Sequence, residues 1–424
     1  MRIRSSRTPL ALKSKVVKIR VIGGGTDYCR DAFSFTPDGE GIASSYAPIA
    51  RPTPQTAANI QRAVYLPRYN YSIMINLGNA LVRLIHGTSE RFASYGIMYS
   101  ASTFLVDYVS EGVAHYAFVG KNVVEELSDG DSRRAINVPY WITCGVLRKN
   151  RLIGADGIEP FKVRWSADLC LDWTEGAGKS GYVYLEPDGG DVVGAAEYDD
   201  NVVFIREYGI TVMHARGDPR NFSVEPTVPV NSTNPVLVNT TCTAVGKVWF
   251  LSKDKLYVYD GRVSEMPLAG FTKGWEFVRA QSYDQRYIYI QCKKDDETCY
   301  MEYDAQTGTC TLFAKNVGVF WRSPSEALGT EKNILVDMKK DAPDENRFWL
   351  SEEFGLNTER QKTLRQVAID CDEDIAVEAI VDGKRACTLN GGKHKLFLHG
   401  AVFSFKVKGV GRLRSLDAEW EVGV

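Results

Sequence analysis

The stretch VVFIREYGITVM at residues 202–213 has the same pattern as VWFLSKDKLYVY at residues 248–259, 46 positions further along the chain. In each stretch four apolar residues precede four turn-like residues, and four more strand formers follow. The Val, Ile, Phe, Trp and Tyr content predicts β-strands, and short loops between them suit hairpins. Because the apolar residues do not simply alternate with polar ones, the strands are expected to be buried on both faces, like inner strands of stacked sheets.

Similar pairs of strands can be placed along most of the chain. They begin near residues 104, 152, 202, 248, 287 and 334, so successive starts differ by 48, 50, 46, 39 and 47 residues. A period of about 40 to 50 residues in an all-β pattern is typical of a propeller, whose blades bury their faces by stacking. The sequence therefore predicts an all-β protein with a β-propeller of about six blades. A large β-sandwich, or several small β-domains with accidental spacing, is the alternative.

The segments around the repeats divide the chain into three predicted parts. Residues 1–60 are expected to be a basic N-terminal arm with a Gly-rich connector, residues 61–355 the propeller-like repeats, and residues 356–424 a C-terminal helix with β-strands. The last part is either a closing blade or a small β-domain. The best helical signals lie at residues 54–64 and 358–367, before and after the repeats.

Two alternating stretches close the sequence. Apolar residues alternate with serine or lysine at 403–408 and with acidic residues at 416–422. This pattern predicts two paired strands whose lysines and acids match across a hairpin. Phe403, Phe405 and Trp420 are then expected in the core.

The composition is that of a soluble, folded protein. Hydrophobic residues make up 44% and charged residues 25% of the chain, and the net charge of -2 gives no bulk argument for nucleic acid or acidic membranes. The sequence shows neither a signal-peptide core nor a run of about 18 apolar residues, so no membrane span is predicted. We expect a protein made in the cytoplasm.

Local charge is concentrated at the N-terminus, where no acid appears before Asp27. These basic residues are predicted to dock on an acidic surface of a partner protein, and a plain disordered tail is the alternative. The seven possible docking residues are Arg2, Arg4, Arg7, Lys13, Lys15, Lys18 and Arg20.

Motifs for nucleotide, metal or cofactor binding are weak. The GKS at 178–180 resembles the end of a phosphate-binding loop, but Trp173 stands where the first glycine is required and strand formers follow. A Gly-rich turn is predicted instead. The nine cysteines include no C-x₂-C pair, and Cys292, Cys299 and Cys310, the closest together, are expected to be ordinary thiols. No metal site and no cofactor are therefore predicted.

Acidic clusters at 199–200, 295–297 and 370–374 all fall in turn-like stretches. A propeller glycosidase or lyase would need two carboxylates close together, one with a raised pKa. Because charged turns are usually solvated, we predict no catalytic residues and no enzyme.

A binding role on the propeller rim would depend on exposed aromatic residues, for recognition of a glycan or a protein. The alternative is that the tryptophans pack between blades. The candidates are Trp141, Trp173, Trp275 and Trp321.

Several of these segments resemble β-propeller tail proteins of tailed bacteriophages. Their order along the chain is the same as in that family, and the resemblance is best over residues 140–265. The segments are IGGGTDYCRDAF at 22–33, NRLIGADG at 150–157, FKVRWSADLCLDW at 161–173, DVVGAAEYDDNVVFIREYGITVM at 191–213, AVGKVWFLSKDKLYVYDG at 244–261 and FSFKVKGVGRLRSLDAEWEVG at 403–423.

The resemblance implies a structural virion protein, the nozzle or tail tubular protein B of a short-tailed phage. Such proteins form a homo-oligomeric ring, a hexamer in the family, beneath the portal and adaptor proteins, and double-stranded DNA passes through the ring during ejection. Tail fibres are further expected partners, and the virion tail is the expected location. The alternative function is a β-propeller binding module that recognises a glycan or a protein, such as a receptor-binding or fibre-docking tail component.

Overall fold

The described part of the chain is almost entirely β-structure. The computed structural model describes residues 14–23, 26–37, 40–50, 60–76, 80–85, 92–94, 102–128, 132–169, 171–230, 233–268 and 272–423. Within these ranges there are two single 3₁₀ turns, Pro187–Gly189 and Pro219–Asn221, and no α-helix. Consequently no helix of these residues is long and apolar enough to cross a membrane.

Seven antiparallel sheets follow one another along the chain and form the blades of a propeller. Each blade has four strand positions, numbered from the innermost strand outward. Blade 1 comprises Ile60–Leu66, Tyr71–Asn76, Ala80–Ile85 and Phe92–Ser94; blade 2 Phe104–Ser110, Val113–Val119, Val123–Ser128 and Ser132–Asn137; blade 3 Ile142–Arg148, Arg151–Asp156, Lys162–Trp165 and Gly181–Tyr184; blade 4 Val192–Tyr198, Asn201–Arg206, Gly209–His214, and outermost both Ser223–Val224 and Val228–Pro229.

The remaining three blades complete the ring. Blade 5 comprises Cys242–Ala244, Lys247–Leu251, Leu256–Tyr259 and Val263–Met266; blade 6 Glu276–Tyr283, Tyr287–Lys294, Glu297–Asp304 and Thr309–Phe313; blade 7 Val317–Arg322, Ala327–Glu331, Ile334–Lys339 and Ala47–Ala50. The outer strand of blade 7 thus comes from the segment that precedes blade 1. Its pairing, with Pro48 opposite Met338, ties the two ends of the propeller together.

Buried side chains fill every seam between neighbouring blades, including the seam between blades 7 and 1. Phe204 of blade 4 shares a cluster with Val163 of blade 3, and Met74 of blade 1 shares one with Trp321 of blade 7. Full burial of such a side chain stabilises the fold by about 1.5 to 3 kcal/mol. The four residues 202–205 are all completely buried, which confirms the expectation of strands buried on both faces.

A β-sandwich built from both ends of the chain accompanies the propeller. In its first sheet the strands are ordered Thr26–Asp27, Ser14–Gly23, Arg412–Gly423, Lys362–Cys371 and Gly392–Gly400; Ile42–Ser44 pairs with Arg412–Gly423, and Phe35–Pro37 pairs with Ile42–Ser44. The second sheet has the order Cys29–Phe33, Phe348–Ser351, Phe403–Gly409, Ile375–Val381 and Lys384–Leu389. The sandwich joins blade 6, where Ser34 N–H donates to the Leu312 carbonyl at 2.6 Å.

The expected core residues of the C-terminal stretches are confirmed, but their pairing is different. Phe403, Phe405 and Trp420 are at most 1% exposed and share one core. The strands Phe403–Gly409 and Arg412–Gly423 belong to opposite sheets and do not pair with each other, so the predicted hairpin is wrong. Alternation specifies which face of a strand is buried, and it leaves the partner strand open.

The all-β propeller class is confirmed, whereas the predicted divisions change. The described residues form seven blades rather than about six, because the strands Ile60–Leu66, Tyr71–Asn76, Ala80–Ile85 and Phe92–Ser94 make a first blade that the repeat did not reveal. Residues 14–44 contribute sandwich strands rather than an arm and connector, and the propeller ends at Lys339. These assignments depend on pairings between residues more than 280 positions apart, such as Pro48 with Met338.

Both predicted helices are wrong in the described residues. Lys362–Cys371 is a sandwich strand and Ile60–Leu66 is the inner strand of blade 1; residues 51–59 lie outside the described residues. Helix propensity is a weak preference, and sheet pairing with buried positions such as Leu364 and Val367 overrides it.

Candidate functional site: the rim of blade 3 and the central channel

The acidic clusters at 199–200 and 295–297 lie at exposed hairpin turns, as predicted, whereas 370–374 spans the end of the strand Lys362–Cys371 and the turn that leads to the other sheet of the sandwich. Asp199 and Asp200 have φ values of 44° and 65°, typical of a two-residue hairpin turn, and Arg148 holds Asp200 at 2.8 Å. Asp295 has φ 53° in the turn between two strands of blade 6. These carboxylates therefore lie in solvent-exposed turns that join neighbouring strands of a blade.

Three carboxyl groups have a raised pKa, but they belong to different blades. Burial raises the pKa of Glu125 in blade 2 to about 7, and burial also raises those of Glu197 in blade 4 and Glu302 in blade 6. A pair for general acid and base catalysis has to share one site. The expectation that the protein is not an enzyme stays a prediction.

The GKS segment is a turn whose carbonyl groups point towards cationic and indole donors. The Arg151 guanidinium donates to the Gly178 carbonyl at 3.0 Å, and the Trp165 indole donates to the Lys179 carbonyl at 3.1 Å. A phosphate cradle needs backbone N–H groups that converge on the ligand. The predicted Gly-rich turn is thus confirmed, and it leads into Gly181–Tyr184.

The three neighbouring cysteines lie inside blade 6. Cys292 stands opposite Cys299 in the sheet, and burial raises the pKa of Cys292 to about 12. Metal ligation requires the thiolate, which this environment disfavours. In the described ranges no three His, Cys, Asp or Glu side chains form a possible metal group.

Three of the four candidate tryptophans pack between blades, Trp275 at the edge of the cluster between blades 5 and 6. Trp321 is 2% exposed and donates to the Ser72 hydroxyl at 3.1 Å, while Trp173 lies in the cluster between blades 2 and 3. Trp141 and Trp275 are half-buried. The exposed aromatic residues of the rim are instead tyrosines and a phenylalanine, which the sequence pattern did not single out.

These residues form what we call the rim ladder, on the two outer strands of blade 3 and the turn before them. Aromatic rings alternate there with cations: the Lys162 ammonium lies 4.2 Å from the ring centre of Tyr182 and 4.9 Å from that of Tyr184. The rings of Tyr182 and Tyr184 are 5.6 Å apart, and that of Phe161 lies 6.1 Å from Tyr184. Arg164 extends the ladder, 5.4 Å from the Tyr182 ring.

The register of the sheet explains the ladder. Lys162 is directly opposite Tyr184 and Arg164 opposite Tyr182, so all four side chains share one face of blade 3. Their charges are balanced locally, since Lys162 pairs with Glu159 at 2.6 Å and Arg164 pairs with Asp156.

The ladder is held in place yet remains open to solvent. The Tyr184 hydroxyl donates to Glu159 at 3.0 Å, which orients the ring. Even so, Tyr182 is 52% and Tyr184 50% exposed, and Ile158 in the turn before Lys162–Trp165 is 81% exposed. Contiguous exposed apolar surface with an ordered polar frame is typical of an interaction site.

The central channel is a cavity of about 900 Å³, lined by residues of all seven inner strands. Its wall carries Arg62 of blade 1 and Arg322 of blade 7, together with the acids Asp107, Glu197 and Asp284. Such a cavity is a candidate for small-ligand binding.

Of the seven basic N-terminal residues, three lie in the described range. Lys18 pairs with Glu419 at 2.9 Å and Arg20 with Asp417 at 2.8 Å, across the sandwich strands Ser14–Gly23 and Arg412–Gly423. Lys15 is exposed. A disordered tail is therefore wrong for residues 14–20, and docking stays a prediction. The four others, Arg2, Arg4, Arg7 and Lys13, lie outside the described residues.

No protein-family model and no curated protein matches the chain. Among solved structures, the Swd1 (Cps50) β-propeller domain of Myceliophteria thermophila is 10% identical with a TM-score of 0.48, covering 69% of this chain and 99% of its own. The Pan2 WD40 domain of Neurospora crassa is 8% identical with a TM-score of 0.47, covering 70% and 95%.

Virginiamycin B lyase from Staphylococcus aureus is another solved structure of similar shape. It is 7% identical with a TM-score of 0.44, covering 77% of this chain and 99% of its own. At these identities the likeness concerns the fold alone. The protein is a β-propeller with an attached β-sandwich, and its function has to be argued from its surfaces.

Proposed function

We propose that the protein is a binding module that holds a protein partner on the rim ladder of blade 3. The observation that supports this function is the half-exposed, ordered row of Phe161, Tyr182 and Tyr184 with cations between the rings. Aromatic residues and arginine are enriched in protein interfaces, where they supply most of the binding energy.

The partner segment that fits this surface is an extended chain. Gly181–Tyr184 is the outermost strand of its sheet, so its free edge can accept backbone hydrogen bonds from a further strand. Side chains of the added strand would then alternate, with every second one against the tyrosines. Because the ladder cations are already paired with Glu159 and Asp156, apolar side chains are expected to be preferred over acidic ones.

A displayed random-peptide library panned against the full chain tests this function. Peptides selected by the wild-type protein are expected to bind the Tyr182→Ala/Tyr184→Ala double variant at least tenfold more weakly, because the stacking surface is lost. Phe397→Ala provides the matched control, since Phe397 is an aromatic residue 73% exposed in the sandwich.

Selection of no peptide, or equal loss in Phe397→Ala, would contradict the proposal. A glycan array with the same three proteins addresses the other ligand class. Glycan binding that depends on Tyr182 and Tyr184, with no peptide binding, would replace the protein partner by a carbohydrate.

A second candidate function is the tail-nozzle role implied by the resemblance to short-tailed phage proteins. It is supported by the placement of four of the six resembling segments, each within one blade: 150–157 and 161–173 in blade 3, 191–213 in blade 4 and 244–261 in blade 5. In this role copies of the chain would close into a ring by rotation, and the ring, not the channel of one chain, would conduct DNA.

Negative-stain electron microscopy with mass photometry tests the second candidate, using the full chain alone and mixed with portal and adaptor rings. Rings wide enough for duplex DNA, or recruitment to the portal end, are the expected result. A persistent monomer that ignores both partners would contradict it. Docking by the basic residues is tested by deleting residues 1–12 only, because deletion of 1–20 would remove most of the strand Ser14–Gly23.

A further inference from the structure

A cavity of about 550 Å³ lies between the sandwich and blade 6. The sandwich lines it with Ile22, Pro37 and Ile42, and blade 6 lines it with Tyr287 among others. Sites for small ligands typically have volumes of about 300 to 1,000 Å³ and a mostly apolar wall with a few polar groups. They also occur preferentially at the interfaces between domains. The cavity therefore has the size, the lining and the position of a ligand site.

Three of the five charged side chains that the described residues contribute to this cavity are already paired. The Arg286 guanidinium donates to both oxygens of Asp304, with its Nε 3.1 Å from Oδ1 and 3.0 Å from Oδ2. The backbone N–H of Gln306 donates to the same carboxylate at 2.9 Å. Arg412 pairs with Glu40 at 3.0 Å. These charges are compensated within the protein, so they do not require a charged ligand.

Glu302 and Lys340, the two other charged residues of the cavity, form no ion pair with any described residue. Glu302 is 4% exposed, and the Tyr289 hydroxyl donates to its Oε2 at 2.9 Å. Its other oxygen, Oε1, has no hydrogen-bond partner in the described part of the chain. Lys340 is exposed, and its ammonium lies 5.3 Å from the ring centre of Tyr46. The cavity thus offers one buried carboxyl group and one exposed ammonium group.

These two groups define the charges that a ligand should carry. Burial raises the pKa of Glu302, and Lys340 is the largest of the charges that oppose this rise. A buried carboxylate gains most from a cationic hydrogen-bond donor, and an ammonium group gains most from an anionic acceptor. A ligand with a single charge would be attracted by one of the two groups and repelled by the other. A ligand with one charge of each sign satisfies both.

We propose that this cavity binds a small zwitterion with an apolar body, of the amino acid class, whose ammonium group bonds to Glu302 and whose carboxylate bonds to Lys340. The apolar body lies against the apolar wall that Ile22, Ile42 and Tyr287 help to form. The site is separate from the rim ladder, so it stands or falls independently of the partner-binding function.

Calorimetric titration of the full chain at neutral pH tests the site, with L-phenylalanine, 3-phenylpropionate and phenethylamine as separate probes. The three probes share an apolar body, and the second and third each lack one charged group. Phenylalanine is expected to bind saturably, and each of the other two roughly tenfold more weakly, because one charge-assisted hydrogen bond is lost. Absence of saturable phenylalanine binding, or a singly charged probe that binds as tightly, would overturn the proposal.

Two variants assign each charge of the ligand to its partner. In Glu302→Gln the ammonium contact is lost, so phenylalanine is expected to bind no more tightly than 3-phenylpropionate. In Lys340→Gln the carboxylate contact is lost, so phenylalanine is expected to bind no more tightly than phenethylamine. Lys332→Gln is the matched control, because Lys332 is an exposed lysine in a turn of blade 7 outside the cavity. Equal loss in Lys332→Gln and Lys340→Gln, or full preference for phenylalanine in Glu302→Gln, would contradict the assignment.

Discussion

The core of the sandwich and the seam between blades 6 and 7 are both deeply buried, yet they differ in chemistry. The sandwich core consists of aliphatic and aromatic side chains, among them Leu364, Phe405 and Trp420. Its stabilisation comes from apolar surface removed from water, which is non-directional and independent of pH.

In the seam, polar groups are embedded among aromatic rings. The Tyr289 hydroxyl donates to the Glu302 carboxylate at 2.9 Å and accepts from the Arg322 guanidinium at 3.2 Å. Gln281 of blade 6 donates to the Phe320 carbonyl of blade 7 at 2.7 Å. Each such group must find a partner, since an unsatisfied buried polar group costs about 1 to 3 kcal/mol.

The comparison indicates different tasks for the two regions. The sandwich core fixes the strands from the two ends of the chain, and apolar packing is enough for that. The polar seam extends from the channel, which Arg322 lines, to a cavity of about 550 Å³ between blade 6 and the sandwich, which Glu302 lines. Changes in charge or pH should therefore affect the seam and leave the sandwich core unchanged.

Trp420→Ala is expected to have the largest effect. Trp420 is fully buried, and truncation of a large aromatic residue in a core costs about 3 to 5 kcal/mol. Urea unfolding at two pH values measures the loss, which should be the same at both. The exposed Phe397→Ala variant is expected to change stability by less than about 0.5 kcal/mol. A loss under about 1 kcal/mol for Trp420→Ala would show that the apolar core is not well packed.

Tyr289→Phe sharpens the comparison by removing one hydroxyl from the seam. The carboxylate of Glu302 and the guanidinium of Arg322 each lose a partner, so the expected loss is about 1 to 3 kcal/mol. Tyr303→Phe is the control on the opposite face of blade 6, where the ring belongs to the apolar cluster shared with blade 5. Equal losses in the two variants would mean that the hydroxyl network adds nothing to the seam.

Glu302→Gln tests the pH dependence. Burial raises the pKa of Glu302 above 4.5, opposed in part by Lys340, Tyr289 and Arg322, while Asp304 raises it further. The folded state then holds this proton more strongly than the unfolded state, so stability falls as pH rises from 4.5 through the folded pKa. The variant cannot ionise and should lose this decline.

The measurement is the free energy of unfolding of both proteins between about pH 4.5 and pH 7.5. Stability of Glu302→Gln minus that of wild type is expected to increase with pH. A constant difference across this range would show that Glu302 is as easily ionised in the folded protein as in the unfolded chain.

Much of the propeller could be predicted from the sequence because its strands pair with their neighbours in the chain. The twelve-residue repeats at 202–213 and 248–259 are the second and third strands of blades 4 and 5, as their shared pattern indicated. The turn at 178–180 and the acidic hairpin turns could also be predicted from the sequence, because turn preferences depend on local residues. The first blade was not predicted, because the sequence pattern of its strands is weaker.

The candidate sites were less predictable. Tyr182 and Tyr184 were seen only as strand formers, and their spacing of two residues was the available signal that both face one side. Nothing local indicates that Arg62 of blade 1 and Arg322 of blade 7 line the same channel.

The sequence by itself therefore determined the β-class, the repeated blades and the burial of Phe403, Phe405 and Trp420, because strand formation and alternation depend on near neighbours. Only the tertiary structure decided that Ala47–Ala50 completes blade 7 and that the two ends of the chain share a sandwich. Those features join distant segments, and their stability comes from closing the ring and burying shared surface, which no local pattern records.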